Sequence, residues 1–475
     1  MRAGDPLISD LRSALAPDRV RDGSTEVALY KRDASTISGR AGVVCFPLDT
    51  EEVRQCVLIA RRHGRCFVPR GSGTGLAGGA VPLDGAVVIA TTKMDKVLSV
   101  HADERYAWVQ PGVLNLDLTR AVAAYGLHFA PDPSSQQSCS VGGNVANNSG
   151  GPHCLAYGVT SQHVLAIEVV LPDGDVVVLG GVEPEPDGLD LRGAFVGSEG
   201  MLGIATRIAV RLTEDPPVVK TMLLDFSSVD EGAATVSAII AAGILPAAIE
   251  MMDALITKAV EEFVHAGFPT DAAAVLIVEV DGLAAAVADD VEKVRAIGVA
   301  HGARTVRVAK DAAERATIWK GRKSAFGAIA RIKPDYYLHD TVVPRSKLVE
   351  VLREVYAIAQ RHELIVMNVF HAGDGNLHPL LVFDRREPGV DERVHAAGEE
   401  IVRVSVASGG VLSGEHGIGL EKRDLMPLMF SAADLDHQNR LRCAFDPDGW
   451  ANPHKVLPEG SRCADLQAVP PGAWV

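Results

Sequence analysis

His371 and His378 bracket the turn sequence AGDGNL inside LIVMNVFHAGDGNLHPLLVF (364–383). Two apolar runs separated by Asp-Gly read as a β-hairpin. A two-residue loop at Asp374-Gly375, or a four-residue loop at 373–376, pairs His371 with His378. Directly opposed residues share a face, with Cβ atoms roughly 5 Å apart, so both imidazoles can reach one metal ion. A lone buried histidine is usually a hydrogen-bonded core residue; two in register across a tight turn favour a ligand pair. The missing ligand is expected in SGEHGIG (413–419). There Glu415 and His416 stand among Gly409, Gly410, Gly414, Gly417 and Gly419, a poor place to bury either for packing.

A second kind of chemistry is suggested by glycines. PRGSGTGLAGG (69–79) carries the spacing GxGxxG at Gly73, Gly75 and Gly78, with Asp95 downstream as a candidate ribose acid. A Rossmann fingerprint requires a helix to start within those glycines. Here they run into AVPLDGAVVIA, where Pro82, Gly85 and a Val-rich strand leave no room for one, and that reading fails. A glycine loop between strands can still hold a pyrophosphate, because successive backbone N–H groups form an anion nest that side chains would block. A plain glycine-rich hairpin fits the segment equally well. PDPSSQQSCSVGGNVANNSGG (131–151) breaks the tie: so many small polar residues cannot form a packed core, and they suit a segment laid along a long polar ligand. GSEGMLGI (197–204) adds a third glycine turn with an acid, Glu199.

The elements that must position these residues fall into two groups. Residues 1–35 read as an amphipathic helix and a polar connection. From 36 to 215 short β-rich runs dominate (VVCFP, RCFVPR, GAVVIATT, YAWVQPG, HVLAIEVVLP, DVVVLGG, ATRIAVRL). One helix is predicted from Thr50 to His63, with Asp49 or Thr50 as N-cap and Glu51 and Glu52 in its first turn. TEDPPVV then marks a Pro-rich linker and a domain boundary at 215/216. From 216 to 445, Ala-rich helices (231–243, 283–301, 311–331, 345–362) separate strands such as VLIVEV and LIVMNVF, an α+β arrangement. The tail, 446–475, is too Pro-rich for an element and is expected to return to the first domain.

The bulk properties restrict the partners. At 475 residues two or more cores are expected. A net charge of −15, from 61 acidic against 46 basic residues, gives nucleic acid or an anionic membrane no broad attraction. None of the seven cysteines forms a CxxC pair, which argues against a zinc ribbon, an iron–sulfur ligand run or a disulfide framework. The N-terminus lacks the apolar core of a secretory signal. No apolar stretch approaches the ~20 residues of a spanning helix, so a cytoplasmic protein is the expectation.

The three glycine segments, in this order and spacing, resemble the FAD-binding domain of the vanillyl-alcohol oxidase family. The likeness is greatest to its members that oxidise 2-hydroxy acids, the glycolate oxidase and D-lactate or D-2-hydroxyglutarate dehydrogenase group, and runs from about residue 40 to Asn452–Lys455. It implies an α+β protein with a two-part FAD-binding domain and a C-terminal substrate (cap) domain. By that resemblance Arg70, Gly71, Ser72, Gly73, Thr74 and Gly75, with Ser138, Gly142, Gly143, Asn144 and Asn148, hold the FAD pyrophosphate. Glu199 and Ile204 lie towards the adenosine end and Asn452 near the flavin. Thr74 stands where histidyl-linked members carry their histidine, which implies noncovalent FAD; His153, Cys139 and Cys154 lie near the second glycine cluster.

The matching HxGDGNxH and EHG motifs imply that His371, His378 and Glu415 bind a divalent metal and that His416 is the base. Two histidines and a carboxylate suit Zn²⁺, Mn²⁺ or Fe²⁺. Arg322 matches the arginine that grips the substrate carboxylate, against the alternative of a solvated basic helix face with Lys320, Lys323 and Arg331. Leu338 replaces a lysine of the D-2-hydroxyglutarate enzymes, which favours a small monocarboxylate such as glycolate or D-lactate over a dicarboxylate. The implied reaction is dehydrogenation of a 2-hydroxy acid, with the electrons leaving to a separate acceptor. An iron–sulfur subunit is one acceptor used by relatives, and it would make the chain peripheral to a membrane through that partner. A homo-oligomer is compatible with the sequence. Rival readings are an ether-lipid synthase type of flavoenzyme, a flavin-free metal hydrolase and a catalytically idle FAD-binding scaffold.

Overall fold

A computed structural model describes residues 5–183 and 188–458. The chain forms two compact units. The first takes residues up to Gly150, Val159–Asp215 and the chain from Glu415; the second takes Gly151–Gly158 and Pro216–Gly414. The change of unit at Asp215/Pro216 coincides with the Pro-rich linker. Three assignments differ from the expected boundaries. Residues 5–35 belong to the first unit, 151–158 to the second, and the chain re-enters the first unit at Glu415 rather than after 445.

The first unit contains a four-stranded sheet in the order Val20–Arg21, Ala41–Cys45, Ala86–Ala90, Phe67–Arg70. Ala86–Ala90 runs parallel to both of its neighbours. All five of its residues are buried, as the unbroken apolar run AVVIA requires of a central parallel strand. Parallel strands need a crossover, and the helix Thr50–Arg62 supplies it. Asp49 caps that helix by accepting the Glu52 amide, and Val53, Cys56, Val57 and Ala60 form its buried face. A five-stranded antiparallel sheet follows the order Val97–His101, Tyr106–Val109, Ile204–Arg211, Val164–Val170, Val176–Gly180. The tail returns as expected: Ala451 bridges to Phe67 beside the first sheet.

The second unit is built on a long antiparallel sheet. Its order is Ala303–Val308, Val218–Phe226, Ala274–Gly282, Ala248–Asp253, Ile365–His371, Asn376–Leu377, Thr341–Val342. Pro379–Phe383 pairs with both Ile365–His371 and Asp335–Leu338. The apolar face of the sheet packs on the helices Val229–Ala241, Ala284–Ala300, Leu348–Arg361 and Val390–Ala407 around Leu224, Leu276, Val351 and Ile401. The single helix expected over 311–331 is two, Ala312–Lys323 and Ala325–Ile329, broken at Ser324. Serine competes with helical backbone bonding. Gly321 is required by packing, since a Cβ there would lie 2.3 Å from the Phe268 ring. Among the described residues no helix is long and apolar enough to cross a membrane.

Candidate functional site

In the first unit the strand Phe67–Arg70 ends in the glycine loop, and its parallel pairing with Ala86–Ala90 excludes the plain hairpin. Arg70 is buried and donates to the carbonyls of Arg32 (3.0 Å) and Ala80 (3.3 Å), stitching the loop to the body of the unit. The second glycine cluster lies directly against it. A Cβ on Gly71 would come within 2.3 Å of Ser140 Oγ. The cluster is not an extended segment throughout: Val141–Asn147 is a short helix, capped by Ser140, whose hydroxyl accepts the Gly143 amide at 3.3 Å. Its local serine cap and tolerance of Gly142 against Pro111 make the turn possible. The third segment closes on the same helix, with Gly197 N donating to Val145 O and Glu199 N to Ala146 O.

Glu199 is 5% exposed. Its Oε1 accepts the amides of Ile418 (2.7 Å) and Gly419 (3.1 Å), and burial pushes the carboxyl up to about 7. Asn452 fastens the tail to this convergence through Nδ2, donating to Gly79 O (2.8 Å) and Glu199 O (2.6 Å). Thus most of the residues expected to hold FAD, Arg70 to Gly75, Gly142, Gly143, Asn144, Asn148, Glu199 and Asn452, meet in one place. Asn144 and Asn148 also have internal duties: Asn144 accepts from Asn115 Nδ2, and Asn148 accepts the Ser161 amide. Two residues are not drawn in by their side chains. Ser138 is exposed and donates to Ser135 O, and Ile204 is buried in the apolar core with Val170. Among the described residues, buried Glu199 Oε2, Asp33 Oδ2 and Asn452 Oδ1 have no hydrogen-bond partner. Polar acceptors left over beside side-chain-free glycines fit a hydroxyl- and N–H-rich cofactor such as FAD.

In the second unit the hairpin register differs from expectation. His371 pairs with Asn376, not His378, and Asn368 with Pro379. The turn is Ala372 to Gly375, a 3-10 turn closed by Gly375 at φ 72°. A Cβ on Gly375 would lie 2.2 Å from Val343 O, and one on Gly373 2.5 Å from Leu155, so close packing on both glycines sets the turn. The slip is two residues. Since side chains alternate with period two, the face is preserved, and the two histidines become diagonal neighbours. Their rings lie 5.0 Å apart at 79°, both 2% exposed.

Glu250 is a site residue that sequence reasoning missed. It lies opposite His371 on the neighbouring strand Ala248–Asp253. Oε1 is 2.7 Å from His371 Nδ1, and Oε2 accepts Arg322 Nε at 2.6 Å with Nη2 also at 2.6 Å. Glu250 is fully buried and Arg322 is 1% exposed, so Arg322 is no solvated basic face. Burial pushes the Glu250 carboxyl up, but the Arg322 charge and His371 outweigh it and hold it below its usual range. The available signal was an acid inside the apolar strand AAIEMMD. Asp340, also missed and fully buried, lies 3.5 Å from His378 Nε2 and accepts Ser413 Oγ (2.5 Å) and the Gly414 amide (3.0 Å). The peptide bond after Gly414 leads to Glu415. Glu415 and His416 belong to the first unit, where Asn147 Nδ2 donates to His416 O at 2.9 Å. His153, considered for flavin linkage, is held in the second unit by Glu279, 3.1 Å from its Nε2. Leu338 is buried opposite Leu380, as an apolar residue should be.

Two known sequence families match the chain. "FAD binding domain" matches residues 41–180 and "FAD linked oxidases, C-terminal domain" residues 215–456. The chain is 45% identical over 445 residues to the glycolate oxidase subunit GlcD of Escherichia coli, covering 94% of this chain and 89% of that one. It is 31% identical to the probable mitochondrial D-lactate dehydrogenase of Danio rerio, covering 96% and 92%. The structure of 4-ethylphenol oxidase from Gulosibacter chungangensis superposes with a TM-score of 0.79 at 20% identity, covering 95% and 97%. With the glycine segments converged on one cradle and both halves of the chain matched, the protein belongs to the FAD-linked oxidases with a vanillyl-alcohol oxidase type FAD-binding domain, and is an FAD-linked oxidoreductase.

Proposed function

We propose that this chain oxidises a small 2-hydroxy acid, glycolate or D-lactate, to the 2-oxo acid, with assistance from a divalent metal. The observation that carries the reading is the buried pair His371/His378 with a carboxylate, Glu250, already holding one ring nitrogen of His371. The named functions of the relatives supply the substrate class. His371, His378 and Glu415 would hold the metal, which would make the substrate hydroxyl more acidic, and noncovalent FAD would supply the hydride-accepting ring. His416 takes the hydroxyl proton, a role suited to imidazole near neutral pH. Arg322 neutralises the substrate carboxylate through the guanidinium N–H groups that Glu250 leaves available. A buried apolar Leu338 offers no second cation for a dicarboxylate. A separate acceptor, an iron–sulfur protein being one fit, would take the electrons.

Anaerobic mixing of the purified yellow protein with glycolate, D-lactate, L-lactate and D-2-hydroxyglutarate tests this. Flavin absorbance should bleach with glycolate or D-lactate, and metal analysis should find one divalent ion per chain. Bleaching by none of the four acids would overturn the substrate assignment, and metal-free protein that still bleaches would overturn the metal.

A further inference from the structure

We infer that Glu250 is a positioning residue that fixes the metal-binding nitrogen of His371 and the orientation of Arg322 with one carboxylate. The inference rests on the metal reading above and deepens it. Glu250 reaches His371 from the adjacent strand and Arg322 from the helix Ala312–Lys323. The two oxygens divide the work. Oε1 faces His371 Nδ1 at 2.7 Å, and Oε2 takes the Arg322 Nε edge at 2.6 Å. An ionised carboxylate only accepts, so Nδ1 of His371 carries its proton and Nε2 is the nitrogen with a lone pair. The tautomer is therefore set before any metal arrives. Each Glu250 oxygen already accepts a hydrogen bond, which suits a positioning role. The simpler reading, that Glu250 only neutralises a buried arginine, accounts for Oε2 but gives no reason for Oε1 to meet His371.

The two readings differ in what a substitution does to metal binding. Glu250→Gln keeps the shape but has one acceptor oxygen for two donors. We expect chelator-stripped, FAD-loaded protein to bind Zn²⁺ and Mn²⁺, titrated separately by calorimetry, 10- to 100-fold more weakly in this variant. FAD content should be unchanged. In a His371→Ala background the same substitution should cost no further affinity, because the route through His371 is already gone. Should Glu250→Gln fail to fold, Glu250→Asp decides: it keeps the charge for Arg322 but is too short to serve both partners, and metal binding should weaken. Unchanged metal affinity in a folded Glu250 variant overturns the inference, as does an equal loss with and without His371. If the wild-type protein binds neither ion, the metal reading itself fails, an outcome separate from the other two.

Discussion

Glu415 and His416 are neighbours in sequence with opposed requirements. A metal ligand must contribute a carboxylate charge, whereas a base must exchange a proton near neutral pH. Glu415→Gln should therefore lower bound metal together with activity. His416→Ala should keep metal and FAD but slow anaerobic flavin reduction by about 10²–10⁴-fold. Metal analysis and stopped-flow reduction on both variants check this, and normal reduction in the His416 variant would remove its role. Glu199 carries a pH signature of its own. Its carboxyl is raised on burial from 4.5 to about 7, so its contribution to stability is full below its unfolded pKa and is lost as pH climbs towards 7. In flavin-stripped protein, Glu199→Gln should gain on the wild type by about 2.5 kcal/mol between pH 5 and pH 8. Parallel denaturation midpoints across that range would contradict it. Neither Glu250 nor Asp340 was legible as a site residue. Their neighbours on adjacent strands and loops are remote in sequence, and only strand pairing brings them to His371 and His378.

Elements carried more information than their junctions did. The hairpin, its Asp-Gly turn and the shared face of the two histidines followed from apolar periodicity. The register did not: both loop lengths centred on Asp374-Gly375 pair His371 with His378, whereas the turn falls on Ala372–Gly375, where Gly373 and Gly375 pack on Leu155 and Val343. The helix Thr50–Arg62 was legible to within a residue because Asp49 and its first-turn acids mark the start. The break at Ser324 and the short helix Val141–Asn147 were not, since the packing of Gly321 on Phe268 and of Gly142 on Pro111 acts there together with the local serines. Gly375→Ala places a side chain at φ 72° and against the Val343 carbonyl. It should destabilise the protein by about 2–4 kcal/mol. Urea denaturation measures it, and a change under about 0.5 kcal/mol would mean that the turn relaxes without cost.

On the scale of the molecule, the boundary at 215 was readable in TEDPPVV, whereas the return at Glu415 was hidden inside one glycine-rich run. All residues proposed to hold FAD lie in the first unit. A ligand stabilises the structure it binds and suppresses its local opening. Removing FAD should accordingly speed amide hydrogen exchange in Ala41–Cys45, Phe67–Arg70 and Val141–Asn147. Exchange in Val218–Phe226 and Ala274–Gly282 should be unmoved. Equal acceleration in both sets would place flavin contacts outside the first unit.

The late return of the chain has a consequence for how the protein is made. Asn452, which fastens Gly79 and Glu199, and the Ile418 and Gly419 amides that receive Glu199, all follow Gly414. A ribosome translating at ~5–20 residues per second must therefore thread the roughly 200 residues of 216–414 before these contacts exist. For that interval, on the order of 10–40 s, the nascent first unit waits with its glycine loops exposed and its cradle open. If the proposed FAD residues are right, a chain truncated after Gly414 should retain less flavin than the full-length protein, since the contacts that Ile418, Gly419 and Asn452 make are then missing.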